Sequence, residues 1–514
     1  MFATNVDNAD LVSITGVSYS EGIHVITAQT LATALGGILA AFCVVPAIYR
    51  AGMYTNAEYL EARFGPATRV LSALIQIQYR TTLLGLMMVS VLLLLTGMVG
   101  LEPVAAWLII VGLVILAAGY TTWGGLKSVV VTDALQGLII MIGAAVILTT
   151  VWNEVGGISG MREKLATADA RAIQTDASAA TTLSGQQPAA DLPHISRYYG
   201  DDGRTPPYII VIGWMIVVSG YWTVNHTQTM RMMGSRTLWD MKMAAVFGTA
   251  ISIPLMVGCV ALGLFGRALF PAFEKPDQLY PHMADIFLGP GLKGLIVAAI
   301  VAAAVSTFDS LGSALSAVFT RDIYARLIVR DANDAHYVRA GRVATVVILA
   351  LGFAWVPFIM AKGTLVNAFL TLVPVFVTPL FTIYLFGVLT RVHRKSAIAG
   401  LTCGAVYGMI ALLDREVRDT AWIPTWFSGK WPAFCWSMSL TGLAMIAVTL
   451  WLGRQPADDR LRLEQTGWLA RSREALPVLR EHPFAEQVPW LLRPHYLASA
   501  LLAVTAYLVF GVFW

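Results

Sequence analysis

Twelve stretches of this chain are apolar over a length that crosses a bilayer, and that removes most folds from consideration. They run near 24–49, 67–100, 104–122, 129–152, 208–230, 243–271, 292–320, 343–361, 364–390, 396–413, 431–452 and 494–513. Roughly 20 apolar residues span the hydrocarbon core as a helix, and a backbone surrounded by lipid must satisfy its own hydrogen bonds. Segments of this kind cross as helices, so the chain reads as an all-α polytopic membrane protein. Composition agrees, because 57% hydrophobic and 13% charged residues over 514 positions is too apolar for a soluble protein. Cys43, Cys259, Cys403 and Cys435 sit singly inside apolar runs, which indicates neither a disulfide framework nor a metal knuckle. No nucleic-acid motif is present, and the net charge of +4 reflects loops rather than an acidic partner.

Basic residues in the loops set an orientation. Arg50, Arg63 and Arg69, then Lys127, then Arg231, Arg236 and Lys242, then Arg321, Arg326, Arg330, Arg339 and Arg342 fall in alternate connections, followed by Arg391, Arg394 and Lys395 and by the arginines of 453–493. The positive-inside rule puts these in the cytoplasm. It puts Trp514 outside, together with 153–207, a long and partly flexible outer loop. Residues 456–490 read as an amphipathic helix on the inner interface. The expected location is the cell membrane, plasma or inner. The start, MFATNVDNADLVSITG, is acidic and broken and does not read as a signal peptide.

The stretch 292–324 is long enough to span, yet it carries Ser306, Thr307, Asp309, Ser310, Ser313 and Ser316. Ala303, Ser306, Thr307 and Ser310 follow i, i+3, i+4, i+7 and share one helix face, with Asp309 at its edge. A carboxylate at membrane depth marks a functional site, and hydroxyl and carboxylate oxygens suit a small hard cation. Hydroxyls also join membrane helices by hydrogen bonds, and on the residues alone both readings stand. Two other stretches, FATNVDNADL and SGYWTVNHTQTMR, read as breaks in helices. Five segments open at each, the count an inverted five-plus-five repeat requires.

Five motifs in order, FATN at 2–5, TNAEYLEARFG at 55–65, GGLKSVVVTDALQ at 124–136, YWTVNHTQTMR at 221–231 and AVSTFDSLGSALSAVFTRDIY at 304–324, resemble the sodium:solute symporter family. Its members include the sodium/glucose, proline and sialic acid transporters, and the likeness runs from Phe2 to about residue 410. The resemblance implies a leucine-transporter-type five-plus-five inverted-repeat bundle with extra C-terminal helices. Its parts are a first repeat at 1–152, the outer loop at 153–207, a second repeat at 208–390, and added helices at 391–514 with a cytoplasmic loop at 453–493. The family's N-terminal helix and the first half of core helix one have no counterpart before FATN. Met1 therefore reads as an internal methionine of a longer frame, or the chain as a fragment.

Carried over by position, the resemblance implies a first sodium site of backbone carbonyls from Ala3, Val6 and Ala303 with the hydroxyls of Ser306 and Thr307. Some relatives have a second site, which falls here on Asp133, Asp309 and Ser310. Asp309 stands where a small hydroxyl residue is usual, and three readings stay open for it: sodium ligand, proton carrier, or structural hydrogen-bonding group. The implied solute contacts are Asn5, Asp10, Gln29, Tyr221, Trp222 and Asn225, with Tyr221 also closing the inner path. Glucose carriers have glutamate, histidine and glutamine near Gln29, Asp10 and Leu370, so the pocket departs from that subtype. Arg80 either receives a solute carboxylate, as in acid-carrying relatives, or sits at the inner interface. His226 reads as a hydrogen-bonding group at the pocket edge. The implied activity is sodium-coupled symport of a small polar organic solute, a sugar or polyol preferred, by alternating access. The alternatives are a solute sensor or transport-inactive remnant, and a symporter of a carboxylate such as a sialic acid or monocarboxylate. Na+ is the expected coupling ion; the solute and the bilayer are the expected partners. No organic cofactor, obligate protein partner or enzymatic constellation is indicated.

Overall fold

A computed structural model of the chain describes residues 8–50, 53, 55–175, 179–183, 186–200, 202–416, 423–454 and 488–514, without the side chains of 50, 120, 123–134 and 182. Every regular element among them is helical. In chain order they are α1 (Asn8–Glu21), α2 (Ile23–Tyr49), a short α3 (Asn56–Phe64), α4 (Pro66–Gly97), α5 (Pro103–Gly119), α6 (Leu135–Val155) and α7 (Gly157–Thr175). Then follow α8 (Pro207–Val224), α9 (His226–Met233), α10 (Leu238–Leu269), α11 (Leu279–Phe287), α12 (Pro290–Ile328), α13 (Asp334–Met360) and α14 (Leu365–Leu389). The last are α15 (Ser396–Glu416), α16 (Pro432–Leu452) and α17 (Pro494–Val512). Among the described residues 11 helices are long and apolar enough to cross a membrane, and α5 is a shorter one. Together they answer the twelve stretches read from the sequence, although α5 and α6 belong to one continuous helix, Pro103–Val155, where the sequence suggests two spans.

Local chemistry sets the starts. Proline opens α4, α5, α8, α12 and α16, where its missing N–H costs no helical bond. The side chains of Thr55, Asn225, Thr237, Asn333 and Thr364 cap α3, α9, α10, α13 and α14 by accepting from backbone N–H groups of the first turn.

Helix α1 lies so close to α10 that a Cβ on Gly263 would meet the Thr15 carbonyl at 2.5 Å and Ser18 Cβ at 2.6 Å. Thr15 and Ser18 also donate from α1 to the carbonyls of Cys259 and Val260, at 3.3 and 2.8 Å. In lipid, where burying apolar surface drives little association, small residues and such bonds hold helices together.

The described residues of 153–207 are docked on the bundle at several points. The segment opens with α7, whose Asp169 pairs with the fully buried Arg267 of α10 at 2.8 Å, and Gln186 accepts from the same guanidinium. Leu192 accepts from Ile23 N–H at 2.8 Å, while the N–H groups of Ile195 and Ser196 donate to the carbonyls of Phe513 and Trp514. Arg267 is the reason: a buried cation is costly without a counter-charge, and α7 brings one. The C-terminus and this segment therefore share a face of the bundle, called here the loop face. The opposite, arginine face carries α3. The amphipathic helix expected at 456–490 lies, for 456–487, outside the described residues.

On the loop face, a turn before α11 inserts Asp277 between α1 and α14. Its Oδ2 accepts from Leu365 N–H at 2.7 Å, and a Cβ on Gly16 would meet its Oδ1 at 2.6 Å. Burial raises the Asp277 carboxyl to about 7, against the lowering effect of the Leu365 bond. Unfolded, the group loses its proton near 3.8; folded, it holds the proton to about 7. Stability is therefore full below the lower value and falls, by on the order of 1.4 kcal/mol per pH unit, as pH rises towards the upper one. Asp277→Asn keeps an acceptor for Leu365 and removes the titration. Its thermal midpoint is expected to gain on the wild type as pH rises from 5 to 8, and parallel curves would refute this assignment.

Candidate functional site

Between α8 and α9 the backbone leaves the helix at Asn225, with φ −70° and ψ 108°. A break at membrane depth frees backbone groups that lipid cannot satisfy. Here side chains take them. Asn56 Nδ2 donates to the Val224 carbonyl at 2.5 Å, Gln76 Oε1 accepts from His226 N–H at 3.3 Å, and Gln76 Nε2 donates to Asn56 Oδ1 at 3.1 Å. Asn225 Oδ1 accepts from Thr227 N–H at 3.0 Å and starts α9. His226 is buried at this break, not at a pocket edge.

The neighbouring Thr55, at the start of α3, is held by charge. Arg69 of α4 donates to Glu58 at 3.0 Å, Glu61 at 2.7 Å and Asp322 at 2.7 Å, and Asp322 accepts from Thr55 at 2.9 Å. Arg326 of α12 joins Glu61 at 2.7 Å, and Arg63 donates to the carbonyls of Gly387 and Val392 at the end of α14. Burial pushes the Glu61 carboxyl up, but Arg326 and Arg69 outweigh it and hold the group below its usual range. This network ties α3, α4 and α12 together on the arginine face beneath the break.

Towards the loop face a cavity opens between α1, α2, α4, α8 and α14. Its polar lining is Asp10, Ser13, Gln29 and Thr33; Trp214, Tyr221 and Phe369 supply aromatic surface, and Leu365 and Val366 of the first turn of α14 also line it. Of the solute contacts expected from sequence, Asp10, Gln29 and Tyr221 are thus brought together. Trp222 and Asn225 are not among the lining residues. Trp222 is wholly buried on the other side of α8, with Ala40, Ala41, Val45 and Met232, because one residue along a helix turns about 100° away from its neighbour. Asn5 lies outside the described residues.

Arg80 departs from the interface reading. It stands near the middle of α4, 2% exposed, with its guanidinium 4.8 Å from the centroid of the Tyr221 ring. Its Nε and Nη1 have no hydrogen-bond partner among the described residues. The uncharged run after it is long enough to span alone, but packing against Tyr221 draws the cation into the bundle.

The polar face of α12 is buried throughout: Ala303 1%, Ser306 0%, Thr307 6%, Asp309 0% and Ser310 1% exposed. The Thr307 hydroxyl donates to the Ala303 carbonyl at 3.0 Å, so two expected sodium ligands sit side by side. Helix α1 packs on α12, and its first residue Asn8 holds Oδ1 buried without a hydrogen-bond partner among the described residues. Ala3 and Val6 lie outside those residues. Neutral hydroxyl and carbonyl oxygens, one of them engaged only as an acceptor and with a lone pair to spare, fit a monovalent hard cation. At the second set, Asp309 Oδ1 is 2.5 Å from the Thr121 hydroxyl, and Ser310 Oγ accepts from Arg231 Nη2 at 2.6 Å. The Asp133 side chain is outside the described residues.

Asn56, Gln76, Asn8 and Trp214 escaped the sequence reading. Asn56 was visible inside TNAEYLEARFG, yet nothing in the linear pattern ties it to a carbonyl 168 residues away.

The chain is 27% identical over 442 residues to sodium/glucose cotransporter 2 of Rattus norvegicus, covering 81% of this chain and 65% of that protein. It is 28% identical over 438 residues to sodium/myo-inositol cotransporter 2 of Homo sapiens, covering 80% and 63%. It thus spans somewhat less than two thirds of the length of these relatives. Its structure is similar to the substrate-bound outward-open state of a Na+-coupled sialic acid symporter, with a TM-score of 0.70 at 20% identity over 88% of this chain and 89% of the other. It is also similar to Mhp1, a nucleobase-cation-symport-1 family transporter, with a TM-score of 0.55 at 13% identity over 92% and 94%. These likenesses establish the fold as the leucine-transporter type. Residues 1–404 match the sodium:solute symporter family, well over half of the sequence, and the chain belongs to that family.

Proposed function

We propose that this protein is a sodium-coupled symporter that carries a small polar organic solute by alternating access. One observation carries the reading: a partly polar, aromatic-walled cavity stands directly above a broken helix that has the Arg69 network on its other side. A solute reaching Tyr221 from the loop face meets a closed path, and the network must open to release it. The cytoplasm is assigned to the arginine face and the outside to the loop face, which carries the C-terminus, in the plasma or inner membrane. The repeats are assigned to 1–152 and 208–390, with 153–207 between them and 391–514 added.

Sodium is assigned to the first set, Ala3, Val6, Ala303, Ser306 and Thr307, and no organic cofactor is invoked. The second set carries no part of the proposal, because Arg231 already brings a positive charge to Ser310. One cation moving down 100 mV supplies about 2.3 kcal/mol, and a tenfold sodium gradient about 1.4 kcal/mol. Sugar or polyol is the preferred solute, since Asp10, Gln29, Ser13 and Thr33 offer hydroxyl partners and Trp214, Tyr221 and Phe369 offer flat apolar faces. The sodium/glucose and sodium/myo-inositol relatives support this choice. A carboxylate solute is the second reading, favoured by the partnerless Nε and Nη1 of Arg80 behind Tyr221.

Uptake of labelled glucose, myo-inositol and sialic acid into vesicles in sodium versus choline medium tests the proposal; equal uptake in the two media defeats sodium coupling, and no uptake of any of the three leaves a solute sensor or inactive remnant. Ser306→Ala and Thr307→Ala are expected to raise the half-saturating sodium concentration about tenfold or more, the loss of one ligand to a buried cation. Arg80→Gln separates the solute classes. For a sugar or polyol the solute KM is expected to stay within about threefold, whereas a carboxylate loses a charge-assisted pair and about tenfold or more in affinity.

A further inference from the structure

At the loop-face rim of the cavity, His24 sits 1% exposed at the start of α2, between groups from four other parts of the chain. Trp214 Nε1 of α8 donates to its Nδ1 at 3.1 Å, and Glu21 Oε2 of α1 lies 3.3 Å from its Nε2. The Tyr198 ring stacks on it at 4.0 Å between centroids, and Trp431 meets it edge-on at 5.8 Å. Among the described residues, the charged and titratable groups in contact with this cluster include Glu21, which accepts from Tyr198 at 2.6 Å, Tyr198 itself, and Lys430, 3.7 Å from Glu21. An indole N–H can only donate, so Nδ1 must be the acceptor and the ring hydrogen sits on Nε2, facing Glu21. Trp214, 4% exposed, turns its other surface to the cavity.

We propose that His24 is a positioning residue for solute binding: in its neutral form it fixes the Trp214 indole as a cavity wall, and a proton added from outside takes the Nδ1 lone pair and releases that wall. The inference rests on the reading of this cavity as the solute chamber. Acidic medium then weakens solute affinity.

The test uses the full chain in lipid nanodiscs and in vesicles. In the first arm, with no solute, the 15N-labelled Trp214 indole signal is identified by its loss in Trp214→Phe. It is expected to move between pH 8 and 5 together with the His24 ring nitrogens, and to stand still in His24→Gln, whose amide oxygen still accepts. An indole signal that ignores His24 overturns the proposal. In the second arm, with [3H]myo-inositol as probe, acid and His24→Leu are each expected to raise KM about tenfold, the loss of one buried hydrogen bond, with kcat little changed. His24→Gln keeps the low KM and loses the acid-side rise, and Trp214→Phe adds nothing to His24→Leu. An acid-side rise that persists in His24→Gln overturns the proposal. Absence of myo-inositol uptake by the wild type counts against the polyol reading alone, and the first arm then decides the role of His24.

Discussion

The bundle depends on where the broken backbone at Val224–His226 finds its hydrogen bonds. A helix that stops in a membrane leaves carbonyl and N–H groups with no water to take them, at several kcal/mol for each one left bare. Asn56 and Gln76 accept this burden and bond to each other as well. The break is therefore no property of α8 alone. It exists only while α3 and α4 are docked beneath it, and any movement that withdraws Asn56 must give the Val224 carbonyl another partner.

That dependence explains the charge beneath. Arg69 is shared among Glu58, Glu61 and Asp322, with Arg326 on Glu61 as well. An exposed pair of this kind contributes about 0–1 kcal/mol, but Arg69 and Asp322 are nearly buried, and desolvation then competes with attraction. Such a cluster is a poor way to add stability and a good way to define one arrangement, because an incomplete set leaves a buried charge. It joins α3, α4 and α12, the elements that flank the break. The opposite face carries a smaller set, Glu21 with Lys430, His24 and Tyr198 behind Trp214, and Phe369 and the first turn of α14 line the cavity on that side. Among the described residues the two sides of the cavity thus differ in the weight of charge: four carboxylate–guanidinium contacts around Arg69 and Arg326 below, and a single lysine with one carboxylate above.

Much of this was legible in the sequence, and the reason is the solvent. In lipid the backbone has so few options that apolar runs convert almost directly into helices, and all twelve are helical. The shared face of Ser306, Thr307 and Ser310 also followed from helical spacing. What could not be read was which way a residue points when its neighbours differ by one position. Tyr221 and Trp222 were paired as aromatic contacts, yet one lines the cavity and the other is buried behind it. Arg80 was legible as a charge beside an uncharged run; that it enters the bundle depends on the Tyr221 ring, 141 residues away, taking its guanidinium. The docking of α7 on α10 was hidden for the same reason. The polar composition of 153–207 reads as loose, and only the buried Arg267 of α10 shows what Asp169 is for.

The two groups of oxygens on α12 differ in a way that spacing did not reveal. At Ala303 and Thr307 the donors are neutral and bonded within their own turn, so a cation meets acceptors with lone pairs to spare and no fixed charge to displace. One turn on, Ser310 has accepted from Arg231, which is also tied to the Thr227 carbonyl of α9, and Asp309 is held at the Thr121 hydroxyl. A sodium ion at Ser310 would stand a few ångströms from a guanidinium, and two unit charges at about 4 Å repel by about 4 kcal/mol at an effective dielectric of 20. Binding there requires Arg231 to move, and Arg231 belongs to the helix that begins at the break. The second group thus ties α12 to the broken helix through the Ser310–Arg231 bond, whereas the Thr307 bond of the first stays within α12.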